Sequence, residues 1–196
     1  MLEWFFPPQC GGCDAFGTGL CDGCLPRGQK QFSSTATLSV TGLGEYGGPL
    51  RTAILALKDG RRDVARSMGS RLAEVATAKM QLVPVPTTKK RRSVRGFDGA
   101  ELIADICAAA SGATSHRLLV QTAGDAQRGR GRKDRLAALG RFSCNALDLG
   151  RREFVLLDDV VTTGSTLEDC ARALRGANGV VYSAIVVAIT RGDHRR

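Results

Sequence analysis

Residues 154–167 read F-V-L-L-D-D-V-V-T-T-G-S-T-L, and this run decides the fold. Four apolar residues precede two adjacent carboxylates, and two valines then lead into a turn rich in hydroxyls and glycine. An unbroken apolar run of this length suits a short strand buried on both faces, as a parallel sheet demands. Asp158 and Asp159 stand where this reading ends the strand, and open α/β sheets bind ligands beyond the carboxyl ends of their strands. Thr162, Thr163, Gly164, Ser165 and Thr166 then offer backbone N–H groups and hydroxyls at a helix start, which is a cradle for phosphate. Two acceptors for sugar hydroxyls beside a phosphate cradle ask for a ribose 5-phosphate. The plainer reading is an acidic turn before a capped helix, with Thr166 and Asp169 as a capping box. It accounts for the cap but not for paired acids beside a loop of small residues.

The run resembles the phosphoribosyl pyrophosphate (PRPP) motif of type I phosphoribosyltransferases at all of its positions. The resemblance implies that Asp158 and Asp159 hold the ribose hydroxyls and that residues 162–166 hold the 5-phosphate.

Outward from this run, strands alternate with helices. Residues 37–44 and 82–85 read as strands, the second ended by Pro84 and Pro86, since proline cannot donate to a sheet ladder. Pro49 opens a helix with Leu50, Ala53, Ile54 and Leu57 on one face, and Val64, Met68, Leu72 and Val75 mark a second. Further helices are expected near 97–110 and 166–177, and further strands near 118–121 and 180–189. This alternation predicts an α/β fold with a mostly parallel sheet flanked by helices. Residues 25–36, rich in Gly, Gln, Ser and Thr, read as a linker. The expected division is a cysteine module with linker over 1–36 and an α/β domain over 37–196.

Four of the seven cysteines lie in Cys10-Gly-Gly-Cys13 and Cys21-Asp-Gly-Cys24. Two C-x-x-C knuckles place four thiolates around one ion, which predicts structural Zn²⁺ on Cys10, Cys13, Cys21 and Cys24 with no open catalytic position. Gly11, Gly12 and Gly23 read as supplying the positive φ that tight knuckle turns often need. Disulfides fit poorly with a chain lacking a secretory signal. Cys107, on a stripe with Ile103 and Ala110, and Cys170, between Leu167 and Leu174, read as buried helix residues rather than nucleophiles. His116 and His194 read as surface residues.

Hydrophobic residues make up 43% and charged residues 24%, the balance of an ordinary soluble globular protein. The longest apolar stretch, 180–189, is too short to span a bilayer, so a cytoplasmic protein without membrane insertion is expected. The net charge of +9, from 28 basic and 19 acidic residues, favours polyanionic partners, metabolite or nucleic acid.

The basic residues cluster. Lys89, Lys90, Arg91, Arg92 and Arg95 follow the V-P-V-P strand, with Thr87 and Thr88 before them; Arg128, Arg130, Arg132, Lys133 and Arg135 are interleaved with Gly129 and Gly131. The first cluster shares a rim with Asp158 and Asp159 if the strands are parallel. The second suits a mobile loop that closes on a polyanion. The succession of knuckle pair, Y-G-G-P-L-R…L-K, V-P-V-P…R-G-F, Q-R-G…R-K-D-R and the PRPP motif resembles the ComF family of competence-associated proteins with a phosphoribosyltransferase domain. Asp98-Gly99 stands where that family usually has Asn-Gln, and the basic loop lacks the family's closing asparagine.

This resemblance implies binding of PRPP with Mg²⁺ and displacement of pyrophosphate from ribose C1. Asp158 and Asp159 would stabilise the cationic sugar. Thr87, Thr88 and residues 162–166 would bind the ligand. Lys89, Arg128, Arg130 and Lys133 would neutralise the pyrophosphate. The sequence shows no base pocket. The alternative is a non-catalytic factor that binds PRPP or single-stranded DNA alongside the DNA-uptake helicase machinery; the few aromatics count against base stacking.

Overall fold

Alternation of successive side chains between the two faces of a strand organises the molecule. A computed structural model describes residues 7–25, 27–28, 30–122 and 140–190. Six strands form the main sheet: β1 (Gln31–Ser34), β2 (Ser39–Glu45), β3 (Gln81–Pro84), β4 (Thr114–Ser115), β7 (Glu153–Val161) and β8 (Val180–Ile189). Their spatial order is β1-β2-β8-β7-β3-β4. Only β1 and β2 pair antiparallel; the remaining pairs are parallel. A second, two-stranded antiparallel ribbon joins β5 (Leu119–Gln121) to β6 (Phe142–Cys144). The helices are α1 (Gly48–Lys58), α2 (Arg62–Leu72), α3 (Lys89–Arg95), α4 (Gly99–Ser111) and α5 (Ser165–Gly176). Among the described residues no helix is long and apolar enough to cross a membrane.

Along β7, Val155 and Leu157 enter one core with Ile54 and Leu57 of α1, Met68 and Leu72 of α2, and Ile103 and Cys107 of α4. Phe154 and Leu156 enter the other with Leu167, Cys170 and Leu174 of α5 and with Phe142 of the ribbon. The sheet is therefore buried on both faces, as the apolar run predicts. Phe154, Leu156 and Leu157 are wholly buried, and each such side chain stabilises by about 1.5–3 kcal/mol relative to exposure. This is an α/β fold with a mostly parallel, helix-flanked sheet, consistent with the phosphoribosyltransferase-like class.

Several expectations need correction. Residues 31–34, read as linker, form β1 along the edge of β2. The strand near 118–121 belongs to the ribbon rather than to the main sheet. Asp158 and Asp159 do not end their strand: β7 continues to Val161, because β8 stays paired with it as far as Ile189. What ends there is the neighbour on the other side, since β3 pairs only as far as Leu157. Tyr182, within the last apolar stretch, is skipped at a bulge opposite Phe154 and Val155 and points into solvent. Ala110 is exposed, off the Ile103–Cys107 stripe. His116 is half-buried, its ring set edge-on to Phe154 at 6.0 Å; burial, then the Arg152 charge, lowers its pKa. His194 lies outside the described residues.

Candidate functional site

The chain leaves β3 towards α4 and β4 on one side of the sheet, and β7 towards α5 and β8 on the other. The gap between β3 and β7 is thus a switch point, where open parallel sheets bind ligands. A cleft of about 350 Å³ opens there. Thr87, Thr88, Asp158, Asp159 and Thr166 line it, together with Lys58, Arg91, Arg95 and Arg141.

The two acids have different surroundings because they are consecutive in a strand. Asp159 faces α1, where Lys58 Nζ lies 3.3 Å from its Oδ2. Asp158 accepts a hydrogen bond from the Asp159 N–H at 2.8 Å. Burial first, and then the Asp159 charge, push the Asp158 carboxyl well above its ordinary range; Lys58 acts weakly in the opposite sense. Holding Asp158 ionised is costly until a cation or a hydrogen-bond donor arrives.

The loop after β7 enters α5 without a side-chain cap. The capping box of the plainer reading does not form, since Gly164 is the N-cap and the Asp169 carboxylate instead accepts from Arg141 N at 2.6 Å and from Arg172. Gly164 has φ 76°, in the left-handed region, and a Cβ there would run into Thr35 Cγ2. Glycine is therefore required twice over. Thr162, Thr163 and Ser165 are exposed beside the cleft, of whose lining only Thr166 of this loop is part, and the Ser165 N–H donates to Thr163 Oγ1 at 3.4 Å.

Opposite, the Thr87–Thr88 turn is held by Asp98, a residue the sequence reading noted only as a departure. Its buried carboxylate accepts from Thr87 N at 2.7 Å and caps α4 through Ala100 N and Glu101 N. Asp98→Ala is expected to cost about 2–3 kcal/mol, from the lost cap and the orphaned Thr87 N–H. Urea denaturation would measure this, and an unchanged midpoint would refute it.

Lys58 and Arg141 were also missed. No local pattern joins Lys58 to a carboxylate so distant in sequence. Arg141 follows the second basic cluster, stacks over Phe142 at 5.9 Å and reaches Thr166 Oγ1 at 3.4 Å. Arg128, Arg130 and Lys133 lie outside the described residues, as do the side chains of Lys89 and Lys90; the Lys89 backbone opens α3, capped by Thr88.

The ligand atoms of Cys10, Cys13, Cys21 and Cys24 all lie within 4.8 Å of one another. The Cys10–Cys24 and Cys13–Cys21 sulfurs are 3.6 and 3.7 Å apart, close to the ~3.8 Å edge of a tetrahedron with Zn–S bonds of about 2.3 Å. The N–H groups of Gly12 and Cys21 point at Cys10 Sγ. Burial opposes ionisation of Cys10, but the backbone hydrogen bonds of Cys21, Gly12 and Cys13 outweigh it and bring its pKa to about 6. This donor set fits zinc. The knuckle glycines serve a different end from the one expected: none of the three has a positive φ, whereas a Cβ on Gly12 would meet Cys24 Sγ at 2.8 Å and Pro49 O at 2.9 Å. Close packing on α1 requires glycine there. Cys107 and Cys170 are buried, and burial raises both thiols, Cys107 to about 11.

Fold and cleft together define an α/β chain consistent with the phosphoribosyltransferase-like class. The chain is similar to Competence protein ComFC of Bacillus subtilis (strain 168), with 32% identity over 93 residues. The match covers 47% of this chain and 37% of that protein. It supports the ComF resemblance carried by the motifs. No protein-family model matches the chain.

Proposed function

We propose that this is a cytoplasmic ComF-type protein that binds PRPP with Mg²⁺ in the cleft and transfers its phosphoribosyl group to an acceptor, releasing pyrophosphate. In this reading the zinc module ends before β1, which pairs with β2 in the main sheet, and the transferase domain runs from β1 onward. The observation that carries it is the meeting, in one cation-lined cleft at the switch point, of a carboxylate pair and Thr166 from the first turn of the helix that the glycine-turned loop opens.

The 5-phosphate sits on the N–H groups and hydroxyls of residues 162–166, where the helix end favours an anion. Asp158 and Asp159 accept from the ribose hydroxyls. The bond from C1 to the pyrophosphate oxygen breaks and its electron pair leaves with pyrophosphate. The acceptor's lone pair forms the new bond to C1, and the acceptor proton passes to solvent. Positive charge gathers on the sugar as this happens, and the two carboxylates stabilise it. Lys58, Arg91, Arg95 and Arg141 face the leaving group, assisted by Lys89, Arg128, Arg130 and Lys133. The paired acids suit Mg²⁺, which typically takes one or two carboxylates plus substrate oxygens. When bound, it supplies neutralising charge to the ribose and pyrophosphate oxygens.

A second reading is a non-catalytic factor for DNA uptake that binds PRPP or single-stranded DNA beside a helicase. The relative's name supports it, as does α3, which sets the exposed Val94 between the basic residues beside the cleft. Against it, the one aromatic among the described residues of the cleft, Phe142, is buried and cannot stack freely on a base. Labelled PRPP with a panel of nucleobases separates the two. A phosphoribosyl product is expected with at least one acceptor. No product with any of them, together with single-stranded DNA binding whose log K falls by about 0.7 per log unit of salt for each neutralised phosphate, would favour the second reading.

A further inference from the structure

Behind the proposed phosphate loop lies a polar cluster that no step of the reaction uses. Glu168, in the first turn of α5, accepts from Thr35 Oγ1, from Thr37 N at 2.6 Å and from Thr37 Oγ1 at 2.6 Å. Arg175, two turns along the same helix, donates to Thr37 Oγ1 at 2.7 Å and to Val181 O at 2.5 Å. The turn between β1 and β2 is closed on itself by Thr35 N to Leu38 O at 2.9 Å and Leu38 N to Thr35 Oγ1 at 3.1 Å. Thr35 then fills the space where a Gly164 side chain would stand. A turn far away in sequence is thus fastened to α5 at one end and pressed against the back of the phosphate loop at the other.

A carboxylate one turn into a helix favours the helix dipole but repels a phosphate bound at the helix start. Glu168 is surrounded by donors instead of facing solvent alone. Burial works against its charge, yet the hydrogen bonds of Thr35 and Thr37 and the Arg175 charge hold its pKa below the ordinary value. Its lone pairs are directed at the β1–β2 turn, so its role is to hold that turn.

We propose that Glu168 is a positioning residue: through Thr35 and Thr37 it holds the β1–β2 turn as a strut behind Gly164, and so sets residues 162–166 in the conformation that receives the 5-phosphate of a phosphoribosyl ligand. The proposal rests on the PRPP reading for its ligand but not for the strut itself. It gives β1 a purpose in the site: the strand keeps the turn in register.

The test uses the full chain and two readouts. Hydrogen exchange at amides 163–166 reports the strut without any ligand. Calorimetry with Mg²⁺ compares PRPP, which carries the 5-phosphate, with pyrophosphate, which does not. Glu168→Ala is expected to speed exchange of the loop amides and weaken PRPP by about 10-fold, roughly the loss of one charge-assisted hydrogen bond, while pyrophosphate stays within about twofold. Glu168→Gln keeps the shape and most acceptor contacts and is expected to stay within about threefold of the parent. If Glu168→Ala does not fold, Thr35→Val removes one contact and is expected to show a smaller loss in the same pattern. Unchanged loop exchange in Glu168→Ala would overturn the proposal. So would equal weakening of PRPP and pyrophosphate, or a Gln variant as damaged as the Ala variant. If the parent binds no PRPP, the functional reading fails, and loop exchange alone still decides the strut.

Discussion

Asp158→Asn combined with Asp159→Asn is expected to lower PRPP affinity by roughly 100-fold or more, while the protein melts at or above the parent temperature. Hydrogen bonds to charged groups contribute about 1.5–3 kcal/mol each, and the double change weakens two. The stability effect has the opposite sign because Asp158 is poorly placed for stability, and the partly exposed Lys58–Asp159 ion pair adds little. Burial and its neighbour raise the folded-state pKa of Asp158 above the unfolded value. The folded protein therefore keeps this proton longer than the unfolded chain. The associated stability is fully present below the unfolded value of about 3.9 and is lost as pH rises through the folded one. Asparagine does not titrate, so the variant's advantage over the parent should be absent at low pH and largest at high pH. A gain on the order of 1 kcal/mol is expected, as is common where a functional site is relieved of strain. Thermal melts across pH read it; a variant that melts lower at every pH would show that the acids hold the fold rather than the ligand.

The chain is expected to carry one zinc ion on its four cysteines, and Cys10→Ser is expected to remove it and lower the melting temperature by on the order of 10 °C or more. Zinc binding in small modules is worth about 10–16 kcal/mol, and a loss of about a third of that shifts a chain of this size by some 2–4 °C per kcal/mol. The effect should reach beyond the knuckles. Cys10, Leu20 and Leu25 share one core with Leu50, Ala53, Val64 and Leu72, and the buried Arg71 of α2 donates to Leu25 O at 3.0 Å and to Asp22. Loss of the metal should therefore loosen α1 and α2, seen as faster hydrogen exchange there. Elemental analysis showing no zinc in the parent, or a variant as stable as the parent, would contradict this.

What the sequence made legible follows from how local each signal is. The apolar run before Asp158 declares a doubly buried strand, and the paired knuckles declare a four-sulfur cluster; both are written in consecutive residues. β1 was missed because Gln-Phe-Ser-Ser has no apolar alternation: an edge strand held by backbone pairing, with Phe32 facing solvent, needs none. The acids were placed at a strand end because strand length is set by the neighbours, and β8 outlasts β3. The knuckle glycines were given the wrong reason because the sequence does not reveal what packs against them. Lys58 and Glu168 act across long sequence separations, where one chain read alone gives no signal; Asp98 is instead a local N-cap, and Asp98 with Glu101 three residues on is a helix-start signal that the sequence does carry. The cluster at residues 128–135 lies outside the described residues.

The central claim is that the acid pair and the phosphate loop form one site for PRPP, and calorimetric titration of PRPP into the parent protein with and without Mg²⁺ tests it most directly. The account predicts binding of one PRPP per chain that strengthens at least about 10-fold with Mg²⁺, since the metal neutralises charge that the two carboxylates and the pyrophosphate otherwise share. No binding heat in the presence of Mg²⁺, or binding equally tight without it, would contradict that claim.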